Sequence, residues 1–94
     1  MLALTDDAAE AVRVLVESEE APETGGLRFA SARAGAETAL LLNVAVLPAE
    51  DDEVIEEHGA RVFLDPDAAT FLDDKVLDAT LAQGRVEFTI ADQW

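Results

Sequence analysis

Gly59-Ala60-Arg61-Val62-Phe63-Leu64-Asp65-Pro66-Asp67, running on to Phe71-Leu72-Asp73-Asp74-Lys75-Val76-Leu77-Asp78, is the stretch that decides this fold. Arg61–Leu64 reads as a short strand, joined across Glu57-His58-Gly59 to another at Val54-Ile55. Asp65-Pro66 is a strong helix start, with Asp as the cap and Pro at the first helical position. The helix is short and carries Ala68, Ala69, Phe71 and Leu72, then gives way to a tight turn at Asp73-Asp74-Lys75. Val76–Leu81 and Val86–Ile90 follow as a hairpin over Gln83-Gly84. In the second arm Val86, Phe88 and Ile90 alternate with Glu87 and Thr89, so the first three are expected to face inward. A core Phe88 predicts a cost of about 3–5 kcal/mol for Phe88→Ala.

Upstream, Thr5 is a plausible N-cap, with Asp6 and Asp7 where the helix dipole favours negative charge. Ala8, Val12, Leu15 and Val16 recur at helical spacing and give one apolar face. Glu17, Glu19 and Glu20 oppose the dipole at the far end, and Pro22 closes the helix. Glu23–Gly26 is a loop. From Leu27 the period becomes two, with Leu27 and Phe29 on one side and Arg28 and Ala30 on the other. Ala34–Thr38 reads as a turn around Gly35. Ala39–Leu47 is apolar at both parities, which predicts a central strand covered on both faces. Pro48–Asp52 is a solvated connection. The sum is α+β: one N-terminal helix, short mixed strands and one small helical turn, in a single domain over residues 1–94 without repeat or linker.

The net charge of −15 arises from 21 acids against 6 bases. Such a surface repels phosphate backbones and anionic membrane faces, so neither nucleic acid nor a membrane is expected as a partner. Hydrophobic residues make up 50% of the chain and aromatics only 5%, so the core must rest on Val, Leu, Ile and Ala. A domain this small buries only about two-thirds of its unfolded surface, and its stability should be modest unless it oligomerises. There is no cysteine. An oxidising compartment therefore offers no advantage. The opening Met1–Asp7 lacks the basic start and apolar core of a signal peptide. Ala39–Leu47 falls far short of the ~20 residues that span a bilayer. A cytoplasmic location is the expectation.

Two segments together carry a family resemblance. One is Gly26-Leu27-Arg28-Phe29, running through Gly35 to Ala39–Leu42. The other is the Asp52-Glu53-Val54 to Asp78 stretch that contains the opening quotation. With the Leu4-Thr5-x-x-Ala8 start, they resemble the HesB/IscA family of A-type iron–sulfur carriers over about Leu4 to Ile90. The resemblance implies a curled, barrel-like sheet. It also implies a cluster held by one cysteine in the loop between two central strands and by a Cys-Gly-Cys pair in a C-terminal tail. Here Ala36 stands where the loop cysteine is expected, and the sequence ends at Trp94, about where that tail would begin. Thiolates are the usual ligands of iron–sulfur clusters. The expectation is a non-catalytic scaffold that has lost its cluster ligands, binds no cofactor, and works as an accessory or protein-interaction module. A protein partner, or a second copy of the chain, is the implied ligand.

The alternative is a site for ferrous iron or zinc built on His58, the only histidine, with carboxylates. If the strand is regular, Glu56 and His58 share a face and Glu57 does not. Asp65, Asp67, Asp73 and Asp74 invite a calcium reading, but Ala69 and Thr70 fall at the fifth and sixth positions from Asp65, where an EF-hand needs a ligand and a glycine. Helix capping and a turn account for these acids. In the family's scaffold a glycine stands where Asp74 is, and Asp tolerates a left-handed backbone. Ser18 and Ser31 sit on no strained elbow, there is no Gly-x-Ser-x-Gly, and Gly25-Gly26 is too short for a phosphate loop. No enzyme is expected. Trp94 should fold back onto its own domain, and Arg28 and Arg33 should pair with the surplus acids.

Overall fold

The computed structural model describes residues 1–22, 24–34 and 37–93. In chain order the elements are β1 (Ala3–Leu4), α1 (Asp6–Ser18), β2 (Gly26–Ala34), β3 (Glu37–Ala45), β4 (Glu53–Glu57), β5 (Ala60–Leu64), α2 (Pro66–Phe71), β6 (Lys75–Ala82) and β7 (Arg85–Asp92). The class is α+β, as the sequence implies. The strands form two sheets, neither of them closed: a three-stranded one in the order β1-β6-β7 and a four-stranded one in the order β3-β2-β5-β4.

The core follows from register. β2 and β5 run parallel with Leu27 beside Val62 and Phe29 beside Leu64, and β4 returns antiparallel with Ile55 beside Val62. All five side chains are at most 2% exposed and share one face. Helix α1 presents Ala8, Ala9, Ala11 and Val12 to the core, all fully buried. Its alanines let the helix backbone approach closely. Leu77 and Ala79 of β6, with Ala68 and Leu72 at α2, complete the cluster. Each large side chain so buried contributes about 1.5–3 kcal/mol.

Both helix starts are capped as their sequences predict. The Thr5 hydroxyl accepts from the Ala8 amide at 3.1 Å and donates to Asp78 at 2.8 Å, which ties the start of α1 to β6. Asp65 accepts from the Ala68 amide at 2.7 Å. Helix α1 ends at Ser18, four residues before Pro22, and Glu20 then takes a left-handed φ of 55°.

Four expectations need correction. Ala39–Leu47 does not become a covered central strand: β3 lies at the end of its sheet, with Leu41, Leu42, Val46 and Leu47 exposed. Ile90 is exposed, while Val86 and Phe88 are only partly buried against the core, because β7 is itself an edge strand. Asp74 keeps a negative φ. Its turn is closed by the Lys75 amide on the Leu72 carbonyl at 3.1 Å, which needs no left-handed residue. Ala34, Glu37 and Thr38 are strand residues where a turn over Ala34–Thr38 is expected, since β2 runs to Ala34 and β3 starts at Glu37. Gly35, Ala36, Trp94 and the side chain of Arg33 lie outside the described residues.

Leu2 is 1% exposed, and Ala3–Leu4 pairs in parallel with Val76–Leu77, neither of which the sequence reading anticipates. The N-terminal amine meets the Asp73 carboxylate at 2.7 Å, and the Gln93 amide bonds the carbonyls of Met1 and Lys75.

Candidate functional site

Three places concentrate polar chemistry. The first is the β4–β5 turn. His58 and Gly59 have φ of 51° and 80°, the two left-handed residues of a two-residue hairpin turn. His58 is therefore not a strand residue, and the strand parity that would put Glu56 and His58 on one face does not hold. Glu56 is paired with Arg61 across the hairpin. His58 Nδ1 lies 3.4 Å from Asp6 Oδ1 at the start of α1, and Arg13 donates to the His58 carbonyl. Glu57 accepts from the Leu4 amide at 3.0 Å. Each group of the sequence-derived cation site thus has its own structural partner. Among the described residues no three His, Cys, Asp or Glu side chains are grouped to hold a metal ion.

Beside this turn lies a cleft of about 320 Å³, walled by Val12, Val16, Ala21 and Pro22, with Arg13 and Arg61 at its rim. The Arg61 guanidinium sits 5.6 Å from the centroid of the Phe63 ring. A cation over an aromatic face is attracted by the ring quadrupole.

The second place is the face of the four-stranded sheet turned away from the main core. Asn43, Arg28, Phe63 and Val54 form one cross-strand row there. Phe63 is fully buried yet does not belong to the main core cluster. Gly26 is needed beside it, because a Cβ would sit 2.6 Å from the Arg61 carbonyl oxygen. Arg28 reaches Asp52 with two bonds, Nε to Oδ2 at 2.8 Å and Nη2 to Oδ1 at 2.9 Å. The Asp52 side chain is 1% exposed and takes a further bond from the Ala49 amide. The bond from Arg28 holds the Asp52 carboxyl below its usual range, with burial opposing and the Ala49 amide assisting. Arg28 is raised in turn, mainly by the same bond.

The third place is Asp65. Besides capping α2 it accepts from the Ser31 amide at 2.9 Å and from the Ser31 hydroxyl at 3.3 Å. Burial pushes its carboxyl upward, but the Ala68 and Ser31 donors and the charge of Arg28 outweigh it and hold it low. Three of the four acids that invite a calcium reading are spent on structure, as the capping and turn reading expects: Asp65 as cap, Asp73 on the N-terminal amine, Asp74 on Lys75. The hydroxyl of Ser18 likewise donates to the Leu15 carbonyl. Ala36, at the expected loop-cysteine position, lies outside the described residues.

No family model and no curated protein matches the chain by sequence. Solved structures do match it. SufA of Escherichia coli, involved in biosynthesis of iron–sulfur clusters, superposes with a TM-score of 0.79 at 28% identity, over 97% of this chain and 79% of SufA. A protein from Aquifex aeolicus gives 0.75 at 23% identity, over 97% of this chain and 90% of its own. IscA, whose structure holds a [2Fe-2S] cluster, gives 0.69 at 17% identity, over 98% of this chain and 82% of IscA. No described helix is long and apolar enough to cross a membrane. The chain therefore has the HesB/IscA-like fold, that of an iron–sulfur biogenesis-type domain, and has it without a single cysteine in its 94 residues.

Proposed function

We propose that this chain is a non-catalytic HesB/IscA-like domain that has lost its cluster-ligating cysteines and serves in the cytoplasm as an accessory or protein-interaction module. One observation carries this reading: a scaffold shared with SufA across 97% of the chain, combined with the absence of any thiol. An iron–sulfur cluster is normally built on thiolates. A methyl group at position 36 offers none. What the scaffold retains is its shape and surface, which a partner can still bind. The non-catalytic part is supported by the polar groups themselves. Among the described residues the Ser18 and Ser31 hydroxyls and the one imidazole all face structural partners, which leaves neither serine beside a base.

Anaerobic reconstitution of the 94-residue chain with ferrous iron and sulfide tests the first half. The expected spectrum shows no cluster absorbance. Ala36→Cys alone should recover little, since one ligand per chain leaves most iron positions open. Ala36→Cys with Cys-Gly-Cys appended after Trp94 should recover more. A stable, stoichiometric cluster on the unmodified chain would overturn the reading. The second half is tested by affinity capture from the native cytoplasm, which should enrich proteins of iron–sulfur assembly. Their absence from the captured set would remove the biogenesis connection.

A further inference from the structure

We infer that the outer edge of β3 docks an extended segment of a partner protein, which joins the four-stranded sheet as a fifth strand, antiparallel to β3, and carries Lys or Arg just before an apolar stretch. This rests on the interaction-module reading and adds the partner's chemistry to it. The sheet edges differ in how they are guarded. Charged side chains keep exposed edges from pairing with other chains. β4 carries Glu53, Glu56 and Glu57, β7 carries Arg85, Glu87 and Asp92, and β1 is only two residues long. β3 is nine residues long, and from Thr38 to Ala49 the sequence has no charge at all.

An unpaired strand edge offers a row of backbone donors and acceptors, and an added strand satisfies them while alternate side chains set specificity. On the core side of β3, Leu40 and Val44 are partly buried against the cluster, while Leu42 between them is 40% exposed. An apolar residue of the added strand covers Leu42 there. On the other side Leu41 is 58% exposed. The occupant is therefore apolar along the length of β3.

Charge fixes its ends. Glu50, Asp51 and Glu53 are exposed, and none of them has an ion-pair partner among the described residues. Their turn is folded back against the C-terminal end of β3, because Asp52 bonds Arg28, the cross-strand neighbour of Asn43. Antiparallel pairing is the more stable per residue, and it brings the start of the added strand to that end of β3. Lys or Arg just before the apolar stretch then meets Glu50 and Asp51. The net charge of −15 attracts such a segment and repels an acidic one.

The probe is a labelled synthetic peptide, two Lys followed by alternating Val and Thr over the length of β3. Fluorescence anisotropy should show saturable binding to the full chain. Moving the Lys pair to the other end, or replacing it by Glu, should weaken binding ~10-fold or more. Two further peptides carry N-methyl groups on alternate amides, one on those that face β3 and the other on those that face away. Only the first should lose binding. Leu41→Asp should lose it too, although the added acid strengthens the attraction for a basic peptide, and should leave the circular dichroism unchanged. Phe71→Asp, at an exposed residue on α2, should bind as the parent does. Glu50→Gln combined with Asp51→Asn should weaken binding several-fold. Peptide binding can fail while affinity capture still finds assembly proteins, so the two readings fall separately. No binding by ~1 mM peptide, equal binding of either altered Lys peptide, equal loss from both methylated peptides, undiminished binding by the Leu41→Asp chain, or a second copy that holds the edge against the peptide would each overturn the inference.

Discussion

Replacing Arg28 by Met removes two charge-assisted bonds from Asp52 and leaves a carboxylate, 1% exposed, with one remaining donor, the Ala49 amide. Breaking a buried ion pair from one side costs about 3–5 kcal/mol. Arg28 is itself 25% exposed, so some hydration reaches the site, and about 3 kcal/mol is the working figure. A domain of this length is stable by roughly 5–14 kcal/mol. The loss is thus a large share of the total. At ~4–8 °C per kcal/mol for domains of this size, the melting temperature should fall by about 12–24 °C. Asp52→Asn keeps an uncharged acceptor and should cost less, and the double variant should cost less than the sum, with a coupling of about 2 kcal/mol. Urea melts of the four proteins at neutral pH provide the cycle. Acid gives a second reading. Because the folded carboxyl of Asp52 lies below its ordinary value of 3.8, the pair contributes stability above that pH and loses it as pH falls through the lower folded value. The parent should therefore lose its advantage over Asp52→Asn in that acid window. A drop below about 4 °C for Arg28→Met, or additive single variants, would mean that this pair is no more than a surface contact.

Phe63→Ala should cost about 3–5 kcal/mol, because Phe63 is fully buried under Arg61 and beside Arg28. Phe88→Ala should cost only about 1–2 kcal/mol, as its ring is only partly buried on an edge strand; equal losses in chemical denaturation would contradict the two-sided burial of the larger sheet. Stability should rise between ~0.01 and ~0.15 M salt, as the Debye length shortens from ~30 to ~8 Å. A flat melting temperature over that range would mean that the 21 acids are already neutralised by local pairing.

Local chemistry made most elements legible. Thr5 and Asp65-Pro66 announce their helices because an N-cap is a contact within four residues. Gln83-Gly84 marks the β6–β7 hairpin for the same reason, with Gln83 and Gly84 both at positive φ. The resemblance located the scaffold, and the solved structures bear it out. What escaped were facts of long range. Pairing of β1 with β6 joins residues 73 apart, and two residues leave no periodic trace. Arg28 and Asp52 are 24 apart, and no local pattern says which of 21 acids Arg28 will choose. At the β4–β5 turn, strand parity was carried one residue too far: His58 turns left-handed, and Glu56 goes to Arg61 instead.

The β3 strand is a different kind of miss. Its composition is read correctly, as a strand apolar on both sides, but its position in one chain contradicts that composition. Hydrophobic periodicity reports the environment a strand is built for, without regard to which chain supplies it. An edge strand selected to stay unpaired would carry charge, as β4 and β7 do. β3 carries none over the eight positions that follow Glu37, and Leu41 and Leu42 stay exposed there. The reading of β3 as covered therefore rests on composition alone, which does not say that the strand ends its sheet.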